Sequence, residues 1–324
     1  MRLERLIAVA FACAALALSV NTRAQGSYPN KPIRIVVPTT AGGAADIMTR
    51  QLAQKLSESM GTPVIVDNKP GGGNVVGSDS VAKAPPDGYT VLMTYTDHVY
   101  NPFLRASMPY DTVKDFAPVV HIGSVPLLVV VNPEVPARSI QDLIGLAKAR
   151  PNQLNFASAG SGTSLHLAGE LFRMMASIEV THVPYKGTSP GFVDLLAGRV
   201  QFMFPTMVSA WQNVQSGKLR ALATTGTKRA ANLPDLPTVA EAGLPGYEAS
   251  IWYAVLVPAN TPRDIVMRLN AEFRKALAAP DIAARLTEQG FVIAPGTPEE
   301  LGAKINSELD RWGKLIKEAK IKLD

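Results

Sequence analysis

The sequence predicts an α/β protein of two similar lobes, each a mainly parallel sheet flanked by helices. Three observations carry that expectation. Apolar, β-branched runs alternate with stretches of helical period, the pattern of strands joined by crossover helices. Both halves of the chain run strand, glycine turn, helix in the same order, although no repeat shows in the residues themselves. A chain of 324 residues also exceeds what one hydrophobic core usually holds.

The first 24 residues stand apart from this pattern. Arg2 and Arg5 precede the apolar run Leu6 to Val20, and "NTRAQ" offers a cleavage site after Ala24, which together read as a secretory signal peptide. The run is shorter than the ~20 residues of a spanning helix. Retention as an anchor, or lipoprotein cleavage before Cys13, are the alternatives. Cleavage after Ala24 removes the only cysteine, so no disulfide is expected. It also lowers a formal net charge of +5, leaving a sparsely charged, mildly basic chain. Such a field suits small anions. The basic tail "KLIKEAKIKLD" reads as a solvated helix face, and no nucleic-acid partner is expected.

"IRIVVP" (33–38) is a strand buried on both faces, and the helix after it sets Ile47, Leu52, Leu56 and Met60 near one face before Gly61 ends it. "PVIVDN" is a second strand, a Gly71-Gly72-Gly73 turn leads into a helix through Val81, and "YTVLMTY" is a third strand. "APVVHIGSVPLLVVVNP" (117–133) is too long for one strand, so it is expected to cross between lobes. The second unit opens with a helix capped by Ser139 and Asp142. It continues through strand "LNFAS", turn "AGSGTS", helix "LHLAGELFRMMA", strand "EVTHVPYKG", helix "SPGFVDLLAG" and strand "RVQFMFP". Thr261-Pro262 with Asp264, and Thr297-Pro298 with Glu300, signal two late helices without strands, which are assigned to the first lobe. The expected lobes are 25–124 with about 246–324, and 125 to about 245.

The helix starts near Asp46 and Leu165 each present unpaired N–H groups at a partly positive end, and the glycines before them let a ligand approach. A carboxylate needs only such donors and a hydroxyl or two. Two opposed ends would hold both carboxylates of one small molecule, each end contributing about 0.3 to 1 kcal/mol. Micromolar affinity requires about 8 kcal/mol, so hydroxyls, waters and closure must supply most of it. The alternative is that these glycines are only tight turns. Asp46 is expected to cap its own helix start, since it would repel a carboxylate. His98, His121, His166 and His182 form no H-x-x-x-H pair, so no metal site is expected. "SAGSGTSLH" allows a secreted hydrolase with Ser161 as nucleophile and His166 as base, but it is not G-x-S-x-G.

The blocks "YPNKPIRIVVPTTAGGAADIMTRQLAQKL", "VDNKPGGGNVVGSDSVAKAPPDGYTVLM", "LNFASAGSGTSLHLAGELF", "HVPYKGTSP" and "LPDLPTVAEAGLPGYEA" resemble the periplasmic receptors of tripartite tricarboxylate transporters, often called Bug receptors. The resemblance implies a two-lobed type II periplasmic binding fold with the ligand in the cleft. It further implies a monomer that delivers a carboxylate to a membrane permease, without catalysis or cofactor. A receptor that feeds a sensor instead would use the same pocket. On the first lobe the resemblance assigns ligand contact to Thr39, Thr40, Ala41, Gly42, Gly43 and Ala44. On the second it assigns Ser158, Ala159, Gly160, Ser161, Gly162, Thr163 and Ser164, with His166 behind them. Thr96 and His98, Tyr185 and Lys186, and Phe204 and Pro205 complete the expected lining. Three departures matter: Thr39 replaces a usual aromatic residue, Ala44 a usual hydroxyl, and Pro205 the aspartate of "MFD" that can grip an amino group. Loss of that aspartate points away from amino acids and toward an unsubstituted or aromatic dicarboxylate.

Overall fold

The computed structural model describes residues 28–321 except Thr40, Gly43, Lys186 and Ala231. The expected signal peptide and its cleavage site lie outside the described residues.

Strand β1 (Ile33–Val37) is apolar except for Arg34, and Ile35, Val36 and Val37 are fully buried. It pairs in parallel with β2 (Val64–Asn68) and β3 (Thr90–Tyr95). Helix α1 (Ala44–Met60) makes the first crossover, and α2 (Val75–Ala82) the second. The buried face of α1 is Ala45, Met48, Thr49, Leu52 and Leu56; Ile47 is 44% exposed, contrary to the expectation from spacing. A step of four from Met48 to Leu52 to Leu56 defines that face better than one starting at Ile47. Helix α3 (Asp97–Leu104) follows β3 directly.

The long apolar run crosses between sheets as expected. β4 (Phe116–Pro126) belongs to the first sheet, β5 (Leu128–Val131) to the second, and Leu127 is the residue between. The second sheet adds β6 (Asn155–Ser158), β7 (Thr181–Pro184), β8 (Phe202–Met203) and β9 (Arg220–Thr224) in the order β7-β6-β8-β5-β9. Its helices are α4 (Ile140–Ala149), α5 (Ser164–Ala176), α6 (Thr188–Leu196) and α7 (Met207–Gln215). Ser139 caps α4 by accepting the Asp142 N–H at 3.0 Å. The chain then returns: β10 (Ser250–Pro258) sits between β3 and β4, and the first sheet is ordered β11-β4-β10-β3-β1-β2, with β11 at Val292–Ile293. Each sheet is therefore parallel through its βαβ half and antiparallel where the crossing strands join it.

The late helices α8 (Arg263–Leu277), α9 (Pro280–Glu288) and α10 (Pro298–Glu318) cover the first sheet. Thr297 and Glu300 form the full capping box at the start of α10. At α8 the capping residue is Pro262 with no side-chain cap, because the Thr261 hydroxyl donates back to the Pro258 carbonyl at 2.7 Å. Alternation along β1 splits the core: Ile33, Ile35 and Val37 pack with Met48, Leu52 and Phe273 on one face, whereas Val36 faces a cluster running through Leu127 and Trp252 to Phe156 and Phe172.

Three backbone segments meet where the sheets join. Thr225 N–H donates to the Leu127 carbonyl at 2.9 Å, Leu127 N–H donates to Thr225 Oγ1 at 2.7 Å, and Ala249 N–H donates to the Thr225 carbonyl at 3.0 Å. The Thr225 hydroxyl also bonds the Ala249 carbonyl. Among the described residues no helix is long and apolar enough to cross a membrane.

Candidate functional site

The loops that follow β1, β3 and β6 all leave the carboxyl ends of parallel strands, the usual position for a ligand in α/β sheets. Between the two sheets they enclose a cleft of about 270 Å³. Thr39, Ala44 and Ala45 line it from the β1–α1 loop, Tyr95 and Asp97 from the end of β3, and Ile251 and Tyr253 from β10. Ala159, Thr163, Ser164 and Leu165 face them from the β6–α5 turn. Larger hollows of about 630 Å³ beside Trp211 and about 870 Å³ beside Phe103 lie away from these helix starts. No lysine or arginine lines the cleft among the described residues.

The loops are held from behind. Asp46, only 2% exposed, accepts the Gly42 N–H at 2.8 Å, the Asn68 amide at 2.9 Å and the Arg50 guanidinium at 3.1 Å. It is thus the internal cap expected of it. Burial raises its pKa, but the bonds from Arg50, Gly42 and Asn68 outweigh that and hold the carboxyl below the usual range. On the other side Ser158 Oγ accepts the Gly160 N–H at 3.1 Å and lies 2.7 Å from His182 Nε2. His166 Nδ1 accepts the Gly162 N–H at 3.0 Å, and its ring stacks on His182 at 3.7 Å. Burial, then the neighbouring His182, lowers the His166 pKa to about 3, and burial lowers that of His182 to about 4. Both rings are neutral, and both brace the turn.

What remains for a ligand is specific. Thr39 Oγ1 is buried without a partner among the described residues. The N–H groups of Ser164 and Leu165, the first two of α5, have no acceptor there, while Thr163 Oγ1 takes the third amide, that of His166, at 3.4 Å. Thr96 and Ser164 touch across the cleft, Oγ1 to Oγ at 3.3 Å.

Of the residues expected from sequence, the cleft lining brings together Thr39, Ala44, Ala159, Thr163 and Ser164, with Thr96 at its edge. Thr40, Gly43 and Lys186 lie outside the described residues. The glycine amides expected to receive a carboxylate are already used: Gly42 by Asp46, Gly160 by Ser158, Gly162 by His166. Ala41 and Ser161 are exposed beyond the lining, and Ser158 and His166 act as braces. His98 is a core residue: its Nε2 lies 3.0 Å from the Thr112 carbonyl, and its ring packs on Tyr110 and Phe116. Tyr185 gives its hydroxyl to Asp194 at 2.7 Å. Phe204 is buried against Phe156 and Phe172, and Pro205 is buried where its carbonyl accepts the Leu128 N–H. Neither lines the cleft. Tyr95, Asp97, Ile251 and Tyr253 do, and none of them was among the contacts expected from sequence. Position after a parallel strand could have flagged Tyr95 and Asp97; nothing local flags Ile251 and Tyr253, which arrive with the returning strand.

Comparison with known proteins agrees with this architecture. Residues 48–321 match the model of the tripartite tricarboxylate transporter family receptor. A protein from the tcbD-tcbE intergenic region of Pseudomonas sp. strain P51 is 45% identical over 311 residues, 95% of this chain and 93% of that one. The R. palustris protein Rpa4515, solved with adipate, superposes with a TM-score of 0.80 at 37% identity, covering 91% of this chain and 100% of the other. The periplasmic binding protein BugD superposes at 0.77 with 33% identity, over 91% of this chain and all of BugD. A family match across residues 48–321, a relative 45% identical over most of both chains and a solved structure superposing over 91% of this one agree, and the chain belongs to the tripartite tricarboxylate transporter receptor family.

Proposed function

We propose that this receptor captures an unsubstituted dicarboxylate of the adipate type between its halves in the periplasm and hands it, as a monomer, to the permease of a tripartite tricarboxylate transporter. One observation carries the reading: Ser164 and Leu165, whose amides are free, and Thr39, whose buried hydroxyl has no partner among the described residues, line one cleft from opposite halves. Two carboxylates at the two walls, with a short apolar chain between Ile251, Leu165 and Ala45, fit that arrangement. Adipate bound to Rpa4515 supports the choice of ligand class. The segments meeting at Thr225 are the place where the halves would rotate on capture. Catalysis is disfavoured because His166 spends its acceptor nitrogen on Gly162 and cannot serve Ser161 as a base.

A thermal-shift series with adipate, shorter and aromatic dicarboxylates, and amino acids tests the reading. A ligand present at a hundred times its Kd adds about 2.7 kcal/mol, a clear rise in Tm. Response to dicarboxylates with silence from amino acids is expected. The reverse order of response would overturn the ligand class.

A further inference from the structure

Asp97 sits in the wall of the cleft with its carboxyl beside the start of α5, where the reading above puts a ligand carboxylate. Its surroundings are unusual for an acid. Among the described residues no cation lies within ion-pair distance of it. Asn74 Nδ2 donates to Asp97 Oδ2 at 3.0 Å, and the Asn74 carbonyl oxygen is committed to the Tyr95 hydroxyl at 2.6 Å, which fixes the amide as a donor. Ser164 approaches from the opposite half. The titratable groups that face Asp97 are Tyr95 on β3, Tyr253 on β10, Tyr100 on its own helix and Tyr110, all neutral, and Arg105 at the far end of α3.

We propose that Asp97 selects the ligand as a neutral carboxylic acid, donating its proton in a hydrogen bond to one ligand carboxylate, so that capture of a dianion above neutral pH takes up one proton from solvent. Two carboxylates held side by side repel one another, and the pair is more stable when one of them holds a proton. A plain dianion has none to give in this range, so the protein supplies it. Burial already pushes Asp97 up to about 7, against the bonds from Ser164 and Asn74 and the charge of Arg105. A ligand anion moves it further in the same direction. No bond other than that to the proton changes, and solvent is the source. The inference rests on the dicarboxylate reading and deepens it, since it says which protonation state the cleft must hold.

The test is calorimetric titration of the mature protein with adipate between pH 6.5 and 8.5, in two buffers of different ionisation enthalpy. The expected result is an affinity that weakens about tenfold per pH unit at the alkaline end, with net uptake approaching one proton. Asp97→Asn keeps a donor without a titrating proton. It is expected to bind adipate with less than about threefold change across the range and no proton uptake. Asp97→Ser, a second neutral donor, is expected to behave alike. Wild-type binding that ignores pH and takes up no proton would overturn the inference while leaving the dicarboxylate reading standing. So would loss of adipate binding in Asp97→Asn and Asp97→Ser proteins that still melt cooperatively, since it would mean the carboxylate itself is required. Failure of adipate to bind at any pH removes both readings together.

Discussion

Thr39 holds a buried hydroxyl with no partner among the described residues, an arrangement that normally costs about 1 to 3 kcal/mol unless a ligand or water satisfies it. Replacing it with valine keeps the shape and removes the orphan. Thr39→Val is therefore expected to leave the Tm of the unliganded protein unchanged or slightly higher, while adipate affinity measured by calorimetry falls about 10- to 100-fold, the value of a hydrogen bond to a charged group. Thr39 was legible because it lies in the loop after the first strand. Asp97 was not, since an acid at a helix start already has an ordinary explanation in the dipole. His98 shows the opposite error: a histidine three residues past a strand looks like a ligand contact, but Tyr110 and Phe116 draw its ring into the core.

At the level of elements, α1 depends on one carboxylate for its beginning. Asp46 ties the loop before the helix, the helix itself through Arg50, and the end of β2 through Asn68. Asp46→Ala is expected to destabilise the protein by about 1 to 2 kcal/mol, as loss of a cap does, in denaturant unfolding. Ligand affinity should fall with it, because the Thr39 loop loses its anchor. Strands, crossovers, the side-chain cap at Ser139 and the capping box at Thr297 follow local rules of period and donor count, so these were readable in advance. The pairing of β10 between β3 and β4 was not. It joins residues more than a hundred positions apart, and no period records such a contact. Ile251 and Tyr253 of the cleft depend on that pairing, as does the antiparallel half of the first sheet.

Across the whole molecule, buried histidines and Asp97 give stability opposite dependences on pH. Burial depresses His98 to about 4, His166 to about 3 and His182 to about 4, with His121 lowered as well. Unfolded histidine titrates near 6.5. Their contribution is complete above about pH 6.5 and is lost as pH falls toward 4. Asp97, raised to about 7, acts the other way: its contribution is complete below about 4 and is lost as pH rises through 7. Several histidines oppose one aspartate, so the Tm of the unliganded protein is expected to drop between pH 6.5 and 4.5. His98→Gln should flatten that slope by on the order of 3 kcal/mol at most. Melting curves at three pH values would decide it.

The junction at Leu127, Thr225 and Ala249 has a genealogical meaning too. Pro126 and Ser250 stand opposite one another in the β4–β10 ladder, so the chain leaves the first sheet and re-enters it at neighbouring points. Everything between them is, in effect, the enlarged tip of one β-hairpin. A gene could gain, lose or exchange that entire half by editing a single turn, without disturbing the register of the sheet from which it grows.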